Sequence, residues 1–562
     1  MVNHRWVWSF LVMWVVALNG CSWLTPPPSL PEGYGIPINE PASSYISRRI
    51  ILVADNQLHN LYNEPVALFR TGAADKVVQS AIRPVQLDLY GQDLLKWILE
   101  NSQGEPVVHG GDACDFSCTG EFETFWKIME RARGGWVMAP GNHDGFFFGN
   151  EHRDVENDDW RAACRNAGEP MSKDLFVRLY LAALALQKAP EYRDFARSLG
   201  LEGLVDASLP QAGAAILKRN LNQGTWRYDA EGRPFLRSVS WNIDERRPWR
   251  SFVVQKVDLS LGSTSVWAVL LDTAQYEEKP SLLPLSRNAG VTGELLDDQV
   301  EVVNSWITSD PGRERVWVLI GHHPFDNLSP RSQQAVDEIR KKTRALVYIS
   351  AHTHAGQFIV HDRDQGRDKW VELNIGSILD WSVEFRGFQI ARSMEGGRLV
   401  LRSPRYTMHE RLFRSMNLPI NDEIWEARPG DGDYYLGHEN LKNLDAHGTE
   451  IRLKDTLLAS FRRLIQANPT KAGDQGAPWP SCCRSDGSVL AEIDRVLNDN
   501  RLEKKIEFLL ELDRFEGGRK AEDEGQRQKY RLSQAIWASK YDSVHTRKPL
   551  EDNWFIVFPP NE

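Results

Sequence analysis

The residues best suited to chemistry fall in five short groups: Asp55-Asn56-Gln57-Leu58-His59, Gly110-Gly111-Asp112, Gly141-Asn142-His143-Asp144, Gly321-His322-His323-Pro324 and Ala351-His352-Thr353-His354. Carboxylates, an amide oxygen and imidazoles are together the donors that hard or borderline divalent cations take. Two such cations about 3.5 to 4 Å apart repel each other and need a negative group between them. Asp112 is the natural bridge, since the glycines before it let the backbone come close. Imidazoles add ligation without adding charge and leave positions open for water and substrate oxygens. Any one group alone reads as a solvated turn or a satisfied structural histidine; the ordered set does not.

What must position these groups is a set of strands. Short runs rich in Val, Ile and Leu, each ended by a loop signal, occur at Ile50–Ala54, Pro106–Val108, Trp136–Ala139, Val266–Leu271, Val316–Ile320 and Leu346–Ser350. That is the pattern of buried strands in a mixed or parallel sheet. Between the first two, Leu87, Tyr90, Leu94, Leu95 and Ile98 recur at helical spacing, so strand, helix and strand alternate as in α/β layers. Five of the six runs lead into one of the groups above, and in open α/β sheets sites form beyond the carboxyl ends of strands. The alternation lapses over about 146–248, where a helix is expected at Asp174–Gln187; this reads as an insertion over or beside the site. Beyond Arg402, residues such as Leu453, Leu457, Leu458, Phe461 and Leu464 take up helical spacing, predicting a mostly helical C-terminal accessory region over 403–562.

The succession Gly-Asp, Gly-Asn-His-Asp, Gly-His-His and His-x-His, each after a strand, resembles the motifs of the calcineurin-like metallophosphoesterases from roughly Ile50 to Arg402. The resemblance implies an α/β fold, a four-layer α/β/β/α sandwich over 47–402, and a centre of two divalent metal ions, manganese, iron or zinc. It implies Asp55 and His354 on the first metal, Asn142, His322 and His352 on the second, and Asp112 between them. The family's first motif has one residue between its acid and its histidine, whereas three separate Asp55 from His59. His59 is therefore a candidate ligand with a structural or supporting role as the alternative. The implied reaction is hydrolysis of phosphate mono- or diesters, a metal-bound hydroxide attacking phosphorus in line with the leaving oxygen.

In that chemistry His143, oriented by Asp144, protonates or hydrogen-bonds the departing oxygen; the plainer reading of Asp144 is a cap or turn residue. Asp115 is expected to orient the Asp112 loop, and His109 and His323 to support neighbouring ligands. Phe146, Phe147 and Phe148 read as the small core of the insertion, Arg246, Arg247 and Arg250 as a solvated loop, and Asn374-Ile375-Gly376-Ser377 as a structural turn. The competing reading is a catalytically impaired envelope lipoprotein, its first motif altered and its C-terminal region binding a partner.

The ends and the composition bear on location. His4 and Arg5 precede an apolar run from Trp6 to Leu18, too short to span a bilayer comfortably and of signal-peptide length. It ends in Leu18-Asn19-Gly20-Cys21, which is similar to the lipobox of bacterial lipoproteins. Residues 1–21 are thus expected to be signal peptide and lipobox, with a lipid on Cys21 holding the chain to a membrane, and the proline-punctuated 22–46 to be a tether. Ser22 after the cysteine favours the outer membrane, facing the periplasm. Export places the other five cysteines in an oxidising compartment. Cys114 and Cys118 bridging each other, or one of them pairing with Cys164, both stay open, and Cys482 and Cys483 are adjacent. With 41% hydrophobic and 26% charged residues the chain has the composition of a folded protein. Its formal charge of −10 supplies no field to gather nucleic acid, so the expected partners are a phosphoester substrate and the membrane.

Overall fold

The computed structural model describes the chain from residue 43 to 407 with interruptions, the longest at 59–91 and 150–159, together with 554–557. Cys21 and the leader, His59, Cys482, Cys483 and the expected C-terminal helices lie outside the described residues. In chain order the first strands are β1 (Ser43–Tyr45), β2 (Ile50–Val53), β3 (Val107–His109) and β4 (Trp136–Met138), with helix α1 (Thr119–Met129) between the last two. Helices α2 (Lys173–Ala185), α3 (Pro190–Ser198) and α4 (Leu209–Lys218) follow, then β5 (Gln223–Arg227), β6 (Leu236–Asn242), β7 (Phe252–Asp258) and β8 (Ser265–Leu270). Next come α5 (Asp297–Thr308), β9 (Arg315–Ile320), α6 (Pro330–Thr343) and β10 (Val347–Ser350). The remaining strands are β11 (Gln357–Asp362), β12 (Lys369–Asn374), β13 (Glu384–Ser393), β14 (Leu399–Ser403), β15 (Arg405–Thr407) and β16 (Trp554–Val557).

These elements make a mixed α/β fold with two mixed sheets. The first runs β16-β14-β13-β2-β3-β4, with β1 and β15 also on β13; β2, β3 and β4 are parallel and β13 is antiparallel to β2. The second runs β11-β12-β10-β9-β8-β7-β6-β5, its centre from β12 to β8 being parallel. All six apolar runs form strands, because continuous Val, Ile and Leu suits strands buried on both faces. The second sheet shows the consequence by alternation. Val253, Ala268, Leu270, Val318 and Ile320 share one apolar cluster with Ile51, Val53 and Phe388 of the first sheet. Val254, Val269, Leu271, Trp317 and Leu319 pack instead with Val303 and Trp306 of α5 and Val336 and Ile339 of α6.

The span expected as an insertion does structural work at one edge. Among the described residues β4 has β3 alone beside it, so its outer backbone groups need other partners. Tyr180 and Gln187, on and just after α2, supply them: Met138 N–H donates to Tyr180 Oη at 2.7 Å, and Trp136 N–H to Gln187 Oε1 at 3.0 Å. Tyr180 in turn donates to Gln255 Oε1 on β7, whose Nε2 returns to the Met138 carbonyl, both at 2.7 Å. That loop of bonds ties the two sheets together below the turn carrying Asn142. The first sheet also takes in Ser43–Tyr45, Arg405–Thr407 and Trp554–Val557, outside the expected 47–402 span. Ser43–Tyr45, expected in the tether, is therefore a strand, because β13 is long enough to pair beyond β2. Among the described residues no helix is long and apolar enough to cross a membrane.

Candidate metal centre

Each of the five groups follows the carboxyl end of a parallel strand: Asp55 after β2, Asp112 after β3, Asn142 and His143 after β4, His322 after β9, and His352 and His354 after β10. Two sheets thus deliver them to one rim. Asp55, Asp112 and His354 each offer a ligand atom within 4.8 Å of the other two, and His322, His323 and His352 do likewise. The turns are tight enough to leave Asp55, Asp112, His352 and His354 with φ of +51°, +57°, +68° and +59°. Left-handed backbone costs a non-glycine residue about 1–2 kcal/mol, and such strain clusters at functional sites. Gly111 and Gly141 are required here, since a Cβ would stand 2.6 Å from His322 Nδ1 at the first and 2.1 Å from Asp112 Oδ1 at the second.

The donor set can be read from hydrogen bonds. His322 Nδ1 is 2.8 Å from the Gly110 carbonyl, so that nitrogen carries the proton and Nε2 is the ring's lone-pair atom. Asn142 Nδ2 donates to the Gly149 carbonyl at 2.9 Å, which turns Oδ1 inward. His322 Nε2 then faces Asn142 Oδ1 at 3.0 Å, Asp112 Oδ2 at 3.2 Å and His352 Nδ1 at 3.2 Å. Asp112 Oδ2, Asn142 Oδ1 and His322 Nε2 all offer lone pairs to one point, a demand that a cation satisfies. A proton answers it in part: burial pulls the His322 imidazole down, but the Asp112 charge and hydrogen bond outweigh that and raise it to about 9. Burial and then the His322 charge take His352 the other way, to about 3. Burial likewise opposes ionisation of Asp112, yet His322 and His143 hold its carboxyl well below the usual range. At the other group, His354 Nε2 lies 3.8 Å from Asp55 Oδ1, and His352 N–H donates to Asp55 Oδ2 at 3.3 Å.

Asp144 and His143 divide their work differently from the expectation. The Asp144 carboxylate accepts backbone N–H bonds from Asp112 at 2.8 Å, Ala113 at 2.9 Å, Cys114 at 3.3 Å and Gly141 at 2.9 Å. It clamps two ligand loops together, which is the turn role given above as its alternative. Burial first, then the Asp112 charge, push its carboxyl up to about 7, with the Gly141 N–H pulling the other way. His143 is held by Asp115 instead: its Nδ1 is 2.7 Å from the Asp115 carbonyl and 3.5 Å from the carboxylate. The His143 backbone N–H donates to Asp112 Oδ1 at 2.8 Å, leaving Oδ2 toward His322.

The supporting residues fall into place around this core. His109 bonds Asn56 and accepts from Gly111 N–H at 3.1 Å, tying the first two loops, and burial lowers it to about 3. His323 shares a bond with Thr273 Oγ1 at 2.8 Å, its ring 4.7 Å from that of His352. Phe146 packs on Tyr276 and Phe147 on Trp160, both buried. Arg247 and Arg250 pair with Asp244 and Glu277 on an exposed loop. Of the two open cysteine pairings, Cys118 bonds Cys164, and Cys114 is a buried free thiol.

Sequence reasoning missed Glu372, and it placed Asn374 and Ser377 in a structural turn without giving them partners. Glu372 accepts from Phe325 N–H at 3.1 Å, from Ser350 Oγ, and from His361 Nε2 at 2.8 Å, anchoring the His322 turn from beneath. Asn374 fixes the His352 turn by donating to the Ala351 carbonyl and accepting from Thr353 Oγ1, both at 2.7 Å. Ser377 Oγ donates to the Asp55 carbonyl at 2.7 Å. Glu372 left a signal, a lone acid inside Trp370-Val371-Glu372-Leu373; Asn374 and Ser377 stood in the Asn-Ile-Gly-Ser turn read as structural, and holding turns is the work they do.

No protein-family profile and no curated protein matches the chain. One matching solved structure is described as "GAP50 the anchor in the inner membrane complex of Plasmodium", at 9% identity and a TM-score of 0.25, over 63% of this chain and 86% of that one. A likeness at that TM-score does not define a shared fold.

Proposed function

We propose that the chain is a dinuclear-metal hydrolase of phosphate mono- or diesters, of the calcineurin-like kind, tethered to the bacterial envelope through Cys21. The observation that carries the reading is the convergence of Asp55, Asp112, Asn142, His322, His352 and His354 from five strand ends of two sheets. The four-layer α/β/β/α arrangement belongs to this proposal; supporting it, one face of the second sheet packs with the first sheet and the other with α5 and α6.

Asp55 and His354 would hold one ion, Asn142, His322 and His352 the other, and Asp112 both. Two divalent ions, when bound, supply Lewis acidity and a water acidified toward neutral pH. The protein's own groups set the rest. Gly110 fixes the tautomer of His322, and Asp144 fixes the distance between the Asp112 and Asn142 turns. His143, its Nδ1 bonded to Asp115, is assigned to the leaving oxygen through Nε2, and its side chain is 12% exposed where that of His322 is 0%. It would enter as the imidazolium, give the Nε2 proton to the leaving oxygen and end as the neutral ring with Nδ1–H still on the Asp115 carbonyl.

The test is hydrolysis of p-nitrophenyl phosphate and bis-p-nitrophenyl phosphate by the full chain in detergent with Mn²⁺, Fe²⁺ or Zn²⁺. Asp112→Ala is expected to abolish turnover and His143→Ala to cut kcat by about 10²–10⁴. Undiminished activity in Asp112→Ala overturns the reading; no activity and fewer than two bound metals point to the impaired, partner-binding form.

A further inference from the structure

We propose that Gln57, through its amide oxygen, is a ligand of the first metal position, the role for which His59 was the sequence candidate. The inference rests on the dinuclear reading above and adds a metal preference to it.

The argument starts from the path of the chain after β2. Asp55, Gln57 and Leu58 donate N–H bonds to the carbonyls of Gly111, Asp112 and Ala113 at 3.0, 2.9 and 2.9 Å. Residues 55–58 therefore run directly beside the loop that carries Asp112, and Leu58 pairs with Cys114. Asn56 turns to the body of the first sheet, bonding His109 and donating to the Ala113 carbonyl at 2.9 Å. Leu58 enters the apolar core. Asp55 turns to His352 and His354, and Gln57 is joined by its backbone N–H to Asp112 itself.

Two observations show that Gln57 is held there at a cost. Its φ is +32°, outside the comfortable range of a branched or long side chain. Its side chain is buried, the residue being 2% exposed, and its Oε1 accepts no hydrogen bond among the described residues. Buried amide oxygens are nearly always satisfied, and one that is not calls for an unseen partner. Gln57 stands two residues from Asp55 and is backbone-bonded to Asp112, two acids of the first metal group, and there the partner that suits an oxygen is a cation. Leu58 is fixed on both sides, its carbonyl accepting from Asp115 N–H at 2.9 Å, which holds Gln57 in its place beside the Asp112 loop.

The consequence is asymmetry. Asp55, Gln57 and Asp112 would give the first position three oxygen donors against one nitrogen from His354, while the second has Asp112 and Asn142 oxygens with the His322 and His352 nitrogens. Oxygen donors suit Mn²⁺ or Mg²⁺, and imidazole shifts preference toward Zn²⁺.

The experiment is calorimetric titration of chelator-stripped full chain in detergent with MnCl₂ and ZnCl₂, for wild type, Gln57→Ala, Gln57→Glu, Gln57→His and His59→Ala. Wild type is expected to bind two Mn²⁺, and Gln57→Ala to weaken one of them at least tenfold while keeping the other. Gln57→Glu should tighten that site for Mn²⁺, and Gln57→His should raise its Zn²⁺ over Mn²⁺ preference at least tenfold; His59→Ala should change neither. Two Mn²⁺ at wild-type affinity in Gln57→Ala, or loss of a site in His59→Ala, overturns the assignment. If Gln57→Ala does not fold, an unchanged Mn²⁺ to Zn²⁺ affinity ratio in both Gln57→Glu and Gln57→His overturns it equally. Failure of wild type to bind two ions sinks the dinuclear reading itself, and so is told apart from failure of Gln57 alone.

Discussion

Asp144→Asn separates a clamp from a catalytic partner. The carboxylate accepts four backbone N–H bonds, two on Oδ2 from Asp112 and Gly141 and two on Oδ1 from Ala113 and Cys114. Asparagine keeps one oxygen and sets an NH₂ against the other pair of donors. Two buried N–H groups then lack an acceptor, at about 1–3 kcal/mol each, so the loss is about 2–6 kcal/mol. Against a typical total of about 5–15 kcal/mol this is a large fraction. Urea unfolding with chelator present, which removes metal binding from the comparison, is the assay. With an m of about 3 kcal/mol/M the midpoint should fall by about 0.7–2 M. His143→Ala should leave the Asp144 bonds intact and keep most of that stability. If Asp144→Asn unfolds within about 1 kcal/mol of wild type yet loses activity, the clamp is wrong and Asp144 acts through His143.

Three further outcomes follow from other contacts. Lys173→Met strips the partner from Asp272 in a pair whose side chains are both fully buried, and should cost about 3–5 kcal/mol in thermal or urea unfolding, part of it recovered by adding Asp272→Asn. Replacing Cys118 and Cys164 together by serine opens a link across 46 residues; chain entropy sets the loss at about 4 kcal/mol at most, and wild type in reductant should match the double variant. Glu372→Gln removes charge from beneath the His322 turn and should weaken binding of one metal about 10–100-fold by equilibrium dialysis, the other staying within about twofold.

The strands that feed the site were legible because a parallel strand buried on both faces has to be an unbroken apolar run, and Ile50–Val53 or Val347–Ser350 could be little else. Strands such as Leu236–Asn242 and Glu384–Ser393 were not, since serines, Glu384 and Arg386 interrupt the apolar signal. Those charges are tolerated only because they meet one another in the fold, as Arg386 meets Glu384 at 3.1 Å. The ligand candidates were visible as types of donor after strands, and supports such as His109, Asp115 and His323 as their chain neighbours, whereas the partners of those supports were not. Whether Asp144 serves His143 or the backbone of Asp112 depends on which N–H groups point at it, and Glu372 and Asn374 act on turns that lie elsewhere along the chain. The first motif shows the limit best: a histidine at 59 draws attention by type, while Gln57 draws it only through burial and an unanswered oxygen.

The central claim is that five separated turns gather two cations around Asp112. Anomalous diffraction from crystals of the full chain grown with Mn²⁺ tests it most directly. The account predicts two peaks about 3.5 to 4 Å apart, one against Asp55 and His354, the other against Asn142, His322 and His352, with Asp112 touching both. A single peak, or peaks remote from Asp112, would contradict it.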